Sequence, residues 1–529
     1  VACAGSGEIR GIPVQMMRNG HVSKLDLARR GIELIELDPA RRGIGVEGGM
    51  LLAHLVSVKG GLTSIDLSGN QLCGIWTNWR GDQHGTYTTE GIIAIANAIR
   101  VNGALTRVDV RQNNIAGDGA VQLAAAVLGN LKIDVFNEIP IKEMRANSLT
   151  ELDLNGKYFG VEGGMVVAGL IPVMGALTVT NLLGNQLDAK SAKMLSEVAK
   201  QKGISLCGIQ RQQTTADFSN QNLQPPDAIL LASDLSQAVV TGALTSINLS
   251  DNKMCGVWTD LYGQHGTYTA EGITAIADAM RVNGGLTSID LSGNQLCGIW
   301  TDDDGDQQGT YTAEGITAIA DALRVNGALT SINLRGNQLE DMGWGAIFAA
   351  ICGNKDSKIM SMDASCENIG SAGVKLIAEA LRTSVTGGLT ALDLSSNDLM
   401  DEGVSAVCEA IQSNKETKLA SLNFRNNDIG PVGANAVAAM VAVTGALTSL
   451  NLSSNNLCSV TETGYIKASQ VQGSSFNEGD KVVYQGKEMI VSKAKDTDGD
   501  IKMTNLPDIS GLNALADAFR VNGALTEVR

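Results

Sequence analysis

From residue 22 to residue 457 the chain repeats one eleven-residue pattern, apolar at positions 1, 4, 6 and 11 with asparagine at position 9. It is complete as LTSIDLSGNQL at residues 62–72 and returns unchanged at 286–296. Variants begin at Leu105, Leu149, Leu177, Leu244, Leu329, Ile359, Leu389, Leu419 and Leu447. In the 286–296 copy, alternation turns Leu286, Ile289 and Leu291 inward and Ser288, Asp290 and Ser292 to solvent, which predicts a short half-buried strand. Asn294 follows where the chain turns. Its amide both donates and accepts, so stacked asparagines satisfy the backbone groups of buried turns coil after coil. Lys157 holds that position in the copy at Leu149.

Each phrase is followed by helical spacing, as in EGITAIADALRVN at 314–326, where Ile316, Ile319, Ala320 and Leu323 share a face. Thr312 is the expected N-cap, Glu314 suits the positive end of the helix dipole, and Asn326 with Gly327 is the expected stop. One strand and one helix cannot bury their own apolar face, so the units must stack as a solenoid.

The spacing between phrases falls into two classes. Five intervals are 28 or 30 residues, the length of a strand plus a helix; others are 42 to 44. In three long intervals the excess is one recurring text between strand and helix: CGIWTNWRGDQHGTYT from Cys73, CGVWTDLYGQHGTYT from Cys255 and CGIWTDDDGDQQGTYT from Cys297. CGxWT and GTYT alternate like the arms of a β-hairpin, with tryptophan expected to pack on tyrosine across the strands. The fourth long interval carries NLKIDVFNEIPIKEMRANS at 130–148, which has no match elsewhere in the chain.

Near the start, VSKLDLARRGI (22–32) and LIELDPARRGI (34–44) lie too close together for both to be full coils. The second is expected to be the strand feeding the GVEGGMLLAHL helix, because GVEGGM also follows the copy at Leu149; the first is expected to be a cap. Between residues 187 and 244, ISLCGI (204–209) and ADFSNQNL (216–223) suggest one or two degenerate coils. The apolar stretch 165–183 contains Pro172 and parses as helix, loop and strand, not as a membrane span. Residues 476–506, FNEGDKVVYQGKEMIVSKAKDTDGDIKMTNL, alternate like a small antiparallel barrel. The expected organisation is a lead-in at 1–21, a solenoid at 22–457, an inserted module at 461–506 and the start of a further repeat at 507–529. A chain that begins with Val1 and stops inside a repeat at LTEVR is expected to be a segment of a longer polypeptide.

The LxxLxLxxNxL phrase is the signature of a leucine-rich repeat. With 28 to 30-residue units and a full helix in each, it resembles the ribonuclease-inhibitor-like class, which includes ribonuclease inhibitor, the repeat domains of NOD-like receptors and the Ran GTPase-activating protein. The resemblance covers most of residues 22–457. It implies an α/β curved horseshoe with parallel strands on the concave face, helices on the convex face and hairpin inserts, and it implies a protein-binding surface. No receptor-type nucleotide-binding domain lies within these residues. The GDKVxYxGKExxV text resembles SH3-like or tudor-like modules.

Net charge is −16 with the two signs interspersed, so no clustered basic surface is available and nucleic acid is not an expected partner. Nine cysteines without a CxxC pair point to reduced thiols in an intracellular, cytoplasmic setting. Cys73, Cys255, Cys297 and Cys458 share one repeat-equivalent place and read as small packing residues, with a Cys255–Cys297 disulfide as the alternative. No charged segment followed by an apolar one opens the chain, so neither a signal peptide nor direct membrane insertion is expected.

Binding hot spots favour tryptophan, tyrosine and arginine. The inner strand face offers mostly serine, aspartate and asparagine, whereas the inserts hold four of the five tryptophans. The expected partner-binding edge is therefore Trp76, Trp79, Arg80, Tyr87, Trp258, Tyr262, Tyr268, Trp300 and Tyr311. Arg107, Arg111, Arg335 and Arg425 are secondary contacts on the concave face. His84 and His265 are equivalent but the third copy has Gln308, so no zinc set repeats. Asp302, Asp303, Asp304 and Asp306 read as a solvated tip, with a hard-cation site as the alternative. Asp496, Asp498 and Asp500 lack the closing glutamate of an EF-hand and read as a strand-connecting turn. No nucleophile motif, phosphate loop or dinucleotide fingerprint occurs, so no catalytic residue, cofactor or metal is expected, nor is a small-molecule ligand. The expected function is a non-enzymatic protein–protein interaction scaffold, a subunit of a larger intracellular assembly. The alternatives are a GTPase-activating role of the Ran-activator type, and peptide or glycan sensing by the concave face.

Overall fold

The computed structural model describes residues 12, 15, 17, 23–27, 43–58, 61–77, 83–260, 263–301, 306–458 and 462–529. Its contacts divide the chain into two units, Val1–Ala318 and Ile319–Arg529.

In the first unit, strands Lys24–Asp26, Ser64–Asp66, Arg107–Asp109 and Val135–Phe136 form a parallel sheet in chain order. Glu151–Asp153 pairs with Val179–Asn181, and Thr215–Asp217, Ser246–Asn248 and Ser288–Asp290 run parallel in a further sheet. The register aligns Leu25, Ile65 and Val108, so the central residue of each strand faces the core. Its two neighbours face the other way, as the two-residue period requires. Helices including Gly45–Val58, Glu90–Val101, Gly117–Gly129, Gly160–Leu170, Ala189–Lys202, Pro225–Leu235 and Glu271–Val282 cover the other side of the core. Leu286, Ile289 and Leu291 are buried while Ser288, Asp290 and Ser292 stay half-exposed, as the alternation predicts.

Three places depart from or sharpen the sequence reading. The strand paired with Ser64–Asp66 comes from the first of the two early phrases, not the second. The physical reason is duplicated text: both phrases end in ARRGI, and the chain uses Leu25 from the first for the ladder. It then uses Ile44 from the second to dock on Asn70 through a 3.3 Å bond from its N–H to Oδ1. The unmatched stretch 130–148 is itself a short coil, with Val135–Phe136 in the sheet and a helix at Ile141–Arg145. The stretch 204–223 supplies two coils, one reduced to single bridges at Ser205 and Cys207 and one holding the strand Thr215–Asp217.

In the second unit, Ser361–Asp363, Ala391–Asp393, Ser421–Asn423, Ser449–Asn451 and Glu527–Val528 form a parallel sheet. Helices Glu340–Gly353, Ser371–Arg382, Met400–Ser413, Pro431–Val443 and Ser510–Val521 accompany them. Between Asn451 and Ser510 the chain builds a separate antiparallel sheet from Ile466–Lys467, Lys481–Tyr484, Lys487–Lys493 and Asp500–Asn505. It has a core of its own, centred on Val482, Met489, Val491, Ile501 and Met503. Asp496 closes the turn before the last strand by accepting from the N–H groups of Asp498 and Asp500 at 3.0 and 2.8 Å, the strand-connecting role expected for it.

Two amide ladders hold the coils together. At the phrase asparagine, Asn113 Oδ1 accepts from the N–H groups of Asn70 and Leu72 in the preceding coil, at 3.0 and 3.1 Å. Its Nδ2 donates to the carbonyls of Leu67 and Val110 at 2.9 and 2.8 Å. Asn455 repeats this for Asn427 and Ile429. Where Lys157 interrupts the series, Asn137 substitutes, donating to Phe159 O and to the buried carboxyl of Glu162, both at 3.0 Å. Where Glu367 interrupts it, the carboxyl accepts from Gly336 N–H at 2.9 Å.

The second ladder closes the helices. Asn326 accepts from the N–H groups of Ala328 and Leu329 at 2.9 and 2.8 Å, so its side chain closes the helix end, and Gly327 is not left-handed. Asn130 Nδ2 reaches back to the carbonyls of Ile99 and Asn102, and Asn354 Nδ2 to those of Leu323 and Asn326. The aspartate or asparagine that ends each strand bonds locally. Asp66, Asp290 and Asn423 accept from the N–H two residues on, at 2.9 to 3.1 Å, a turn that suits only these short acceptors.

Candidate interaction edge

The three inserts leave the solenoid in the same way. Leu72, Met254 and Leu296 are buried, as are the cysteines that follow them, and then Gly74, Gly256 and Gly298 take φ of 74°, 77° and 72°. A Cβ on Gly74 would stand 2.5 Å from Thr86 O, so only glycine fits the exit. The arms are antiparallel: Ile75–Thr77 with Gln83–Gly85, Val257–Asp260 with Gly263–Gly266, Ile299–Thr301 with Gln307–Gly309. Each base is shut by one bond of 2.9 to 3.0 Å, from Thr88, Thr269 or Thr312 N–H to the carbonyl of Cys73, Cys255 or Cys297. Thr312 also reaches the N–H of Glu314 with its hydroxyl at 3.4 Å, as Thr88 does for Glu90. In the Glu90 helix the N-cap is Thr89, one residue beyond Thr88, the counterpart of Thr312.

The register sets tryptophan opposite histidine, not tyrosine: Trp76 faces His84, Trp258 faces His265 and Trp300 faces Gln308. Trp76 and His84 stack at 4.4 Å, Trp258 and His265 at 5.6 Å. Lys253 Nζ lies 4.5 Å from the Trp258 ring centroid, a cation–π contact in which the ring quadrupole attracts the ammonium. The expected tryptophan–tyrosine packing fails because the tyrosine lies beyond the last paired glycine, where the chain already turns toward the helix. There Tyr87 donates to Ala116 O at 2.7 Å and Tyr268 to Leu296 O at 2.8 Å. Burial pushes the Tyr268 phenol up, with the neighbouring Cys255 adding to it. Burial likewise pushes the Cys73 and Cys255 thiols up to about 12. Cys255 and Cys297 are thiols and not a disulfide, so the packing reading holds and the bridged alternative does not.

Among the residues expected at the edge, Trp76, Trp258 and Trp300 are half-exposed on the outgoing arms. Tyr87 is exposed, while Tyr268 and Tyr311 are half-buried. Trp79, Arg80 and Tyr262 lie outside the described residues, as do Asp302, Asp303 and Asp304. His84, His265 and Lys253 belong to the edge and were not selected by sequence. Their signal was present, since the histidines occupy one register position opposite the tryptophan.

On the strand face, Arg111 is consumed internally. Its guanidinium holds Asp109 at 2.7 Å, Glu138 at 2.9 Å and the Lys157 carbonyl at 3.0 Å. Arg335 lies 3.4 Å from Asp363, and Arg107 and Arg425 are exposed. Among the described residues no group of three or more His, Cys, Asp or Glu is placed to hold a metal ion. No helix among them is long and apolar enough to cross a membrane.

Stacked strand–turn–helix coils with parallel ladders and an internal asparagine series define an α/β solenoid. A family model described as "Leucine Rich repeat" matches residues 104–124, 389–408 and 415–438. The chain is a leucine-rich-repeat protein. No curated protein matches it. Among solved structures it is similar to the leucine-rich repeat-containing protein LegL7 from Legionella pneumophila, at 14% identity over 82% of this chain and 89% of that one, TM-score 0.26. It is similar to TLR13 in its complex with ssRNA13, at 13% identity over 83% of this chain and 54% of that one, TM-score 0.29. A third likeness is to actin-binding site 2 of leiomodin-1, at 15% identity over 41% of this chain and 89% of that one, TM-score 0.20.

Proposed function

We propose that this chain is a non-enzymatic, intracellular scaffold that grips a protein partner through the hairpin edge, as a subunit of a larger assembly. Trp76, Trp258 and Trp300 are the anchors, and Arg107, Arg335 and Arg425 on the strand face are secondary contacts. In this reading residues 22–457 form the binding solenoid and 461–506 an inserted module.

The observation that carries the reading is the repeated pairing of a half-exposed tryptophan with a histidine at one register position, 4.4 Å apart in the first hairpin and 5.6 Å in the second. A ring held by a neighbour loses little freedom on binding, and large aromatic side chains dominate interface energies. With Tyr87 and Tyr268 tied to the next coil, Trp76 and Trp258 are the large aromatic side chains left to a partner among the described residues of the first two hairpins. The test is the triple variant Trp76→Ala, Trp258→Ala, Trp300→Ala, with the wild-type circular dichroism spectrum as the folding control. Each anchor is worth roughly 2 kcal/mol, so partner recovery in a quantitative co-purification is expected to fall at least about tenfold. Recovery equal to wild type overturns the edge as the site, and loss on an Arg107→Ala, Arg335→Ala, Arg425→Ala variant instead moves it to the strand face.

A further inference from the structure

The helix-closing ladder lacks its asparagine in more than one loop, Thr241 and Thr444 both standing in V-T-G-A-L text, and the vacancy at Thr444 lies between two coils that keep theirs. In three coils the loop reads V-N-G-A-L, as at residues 101–105, where Asn102 Oδ1 accepts from the N–H groups of Ala104 and Leu105 at 2.8 and 2.9 Å. The ladder amide also donates backward. Asn414 Nδ2 reaches the carbonyls of Leu381 and Ser384 at 2.7 and 3.2 Å, and Asn522 Nδ2 reaches those of Val441 and Thr444 at 2.7 and 2.9 Å. Between those two coils the loop is V-T-G-A-L, residues 443–447, equal in length but with threonine in place of asparagine.

Thr444 does not stand in for the amide. Its hydroxyl turns back to Met440 O in its own helix, at 2.9 Å. The N–H groups of Ala446 and Leu447, served by the amide oxygen in other coils, then find no acceptor among the described residues. The carbonyls of Ile411 and Asn414, the counterparts of those that take the amide nitrogen elsewhere, receive no side-chain donor, and that of Asn414 has one lone pair left after accepting from Thr417 N–H at 3.3 Å. Between them is a pocket of about 300 Å³ floored by Leu419, Met440 and Leu447, with Val443 69% exposed at its mouth.

We propose that this notch is a receptor for a carboxamide, the side chain of an asparagine or glutamine presented by a protein partner. Two donors face two acceptors across the pocket, and a carboxamide matches both pairs with one planar group. A carboxylate offers no donor to the carbonyls, and an ammonium offers no acceptor to the N–H groups. Water is the competitor, and it binds without the apolar stem that Met440, Val443 and Leu447 are placed to cover. The site is separate from the hairpin edge and does not depend on it.

The test uses the full chain labelled with ¹³C at the methionine methyls, the Met440 signal being assigned from Met440→Leu. Butyramide is titrated against wild type, Thr444→Val, which keeps the notch open, and Thr444→Asn, which supplies the missing amide from within. Butyrate and n-butylammonium are the controls. Butyramide is expected to shift the Met440 methyl saturably in wild type and Thr444→Val, with each control at least about fivefold weaker, the worth of one hydrogen bond. In Thr444→Asn the shift is expected to vanish and the Tm to rise. Equal shifts from all three compounds, no shift up to the solubility of butyramide, or an undiminished shift in Thr444→Asn overturns the proposal.

Discussion

The Tyr268 phenol donates to the backbone carbonyl of Leu296 at 2.8 Å, so the end of the second hairpin is fastened to the coil that carries the third. The constancy of GTYT is thus a stacking requirement. Tyr268→Phe keeps the ring and removes one part-buried hydrogen bond, which is expected to cost about 1 kcal/mol in urea unfolding. Partner binding should be unchanged. Tyr87→Phe, at a more exposed clamp onto Ala116, should cost less. A Tyr268→Phe protein as stable as wild type would show that the clamp contributes nothing.

Glu162 makes stability depend on pH. Burial raises its carboxyl from 4.5 to about 8, against the opposing pull of its own backbone N–H and the Asn137 amide. Below about pH 4.5 both folded and unfolded chains hold the proton, and there is no penalty. Between about 4.5 and 8 the unfolded chain releases it while the folded chain keeps it, so stability falls as pH rises and levels off above about 8. Glu162→Gln retains an acceptor for Asn137 and removes the titration. At about 1.4 kcal/mol per pKa unit, it should match wild type near pH 4.5 and exceed it at pH 9 by an amount on the order of 4 kcal/mol. Parallel pH profiles for the two proteins would contradict this.

The coil was legible because its causes are local. Leu286, Ile289 and Leu291 announce a strand, Asn294 announces the buried turn, and the hairpin arms are written in the text of residues 73–88, 255–269 and 297–312. What the sequence did not show depended on register or on relations across coils. The pairing of Trp76 with His84 requires knowing where the paired arms end, and pattern alone places tyrosine there equally well. The early strand was misplaced because ARRGI occurs twice, and pattern cannot choose between two equal endings. Arg111 looked available for binding until Asp109, Glu138 and the Lys157 carbonyl were brought around it by three different coils. The substitution of Asn137 and Glu162 for a missing ladder residue has no sequence signature, since neither occupies a phrase position.

The cysteines divide by burial, and their reactivity should follow. Cys73, Cys255 and Cys408 are buried, and desolvation raises each thiol, the first two to about 12. The thiolate that reacts is scarce at neutral pH in such sites. Cys366 is exposed and Cys458 is half-buried. Among the described cysteines, iodoacetamide under native conditions is expected to modify Cys366 first and Cys458 more slowly, with Cys73, Cys255, Cys297 and Cys408 protected until denaturant is added. Peptide mapping by mass spectrometry reads this directly. Loss of free thiol at Cys255 and Cys297 before any reagent is added would instead indicate a bridge between them.

Cys366 also offers a gain in stability, for a backbone reason. It precedes the ladder position with φ of 58°, in the left-handed region where an L side chain crowds its own carbonyl. The equivalent residues Gly69, Gly184, Gly293 and Gly336 have φ between 66° and 71°. With Gly156 at 62°, five coils have met the same demand with glycine. Cys366→Gly removes a strain of about 1 kcal/mol, offset in part by the greater freedom of glycine in the unfolded chain. The net expected gain is about 0.5 kcal/mol, seen as a higher urea midpoint at unchanged m-value. Gly184→Ala is the reverse experiment. Nothing lies within 3.5 Å of the added Cβ, so any loss there comes from the backbone alone and should be about 1 kcal/mol. If both substitutions shift the midpoint in the same direction, left-handed strain is not what selects glycine at this turn.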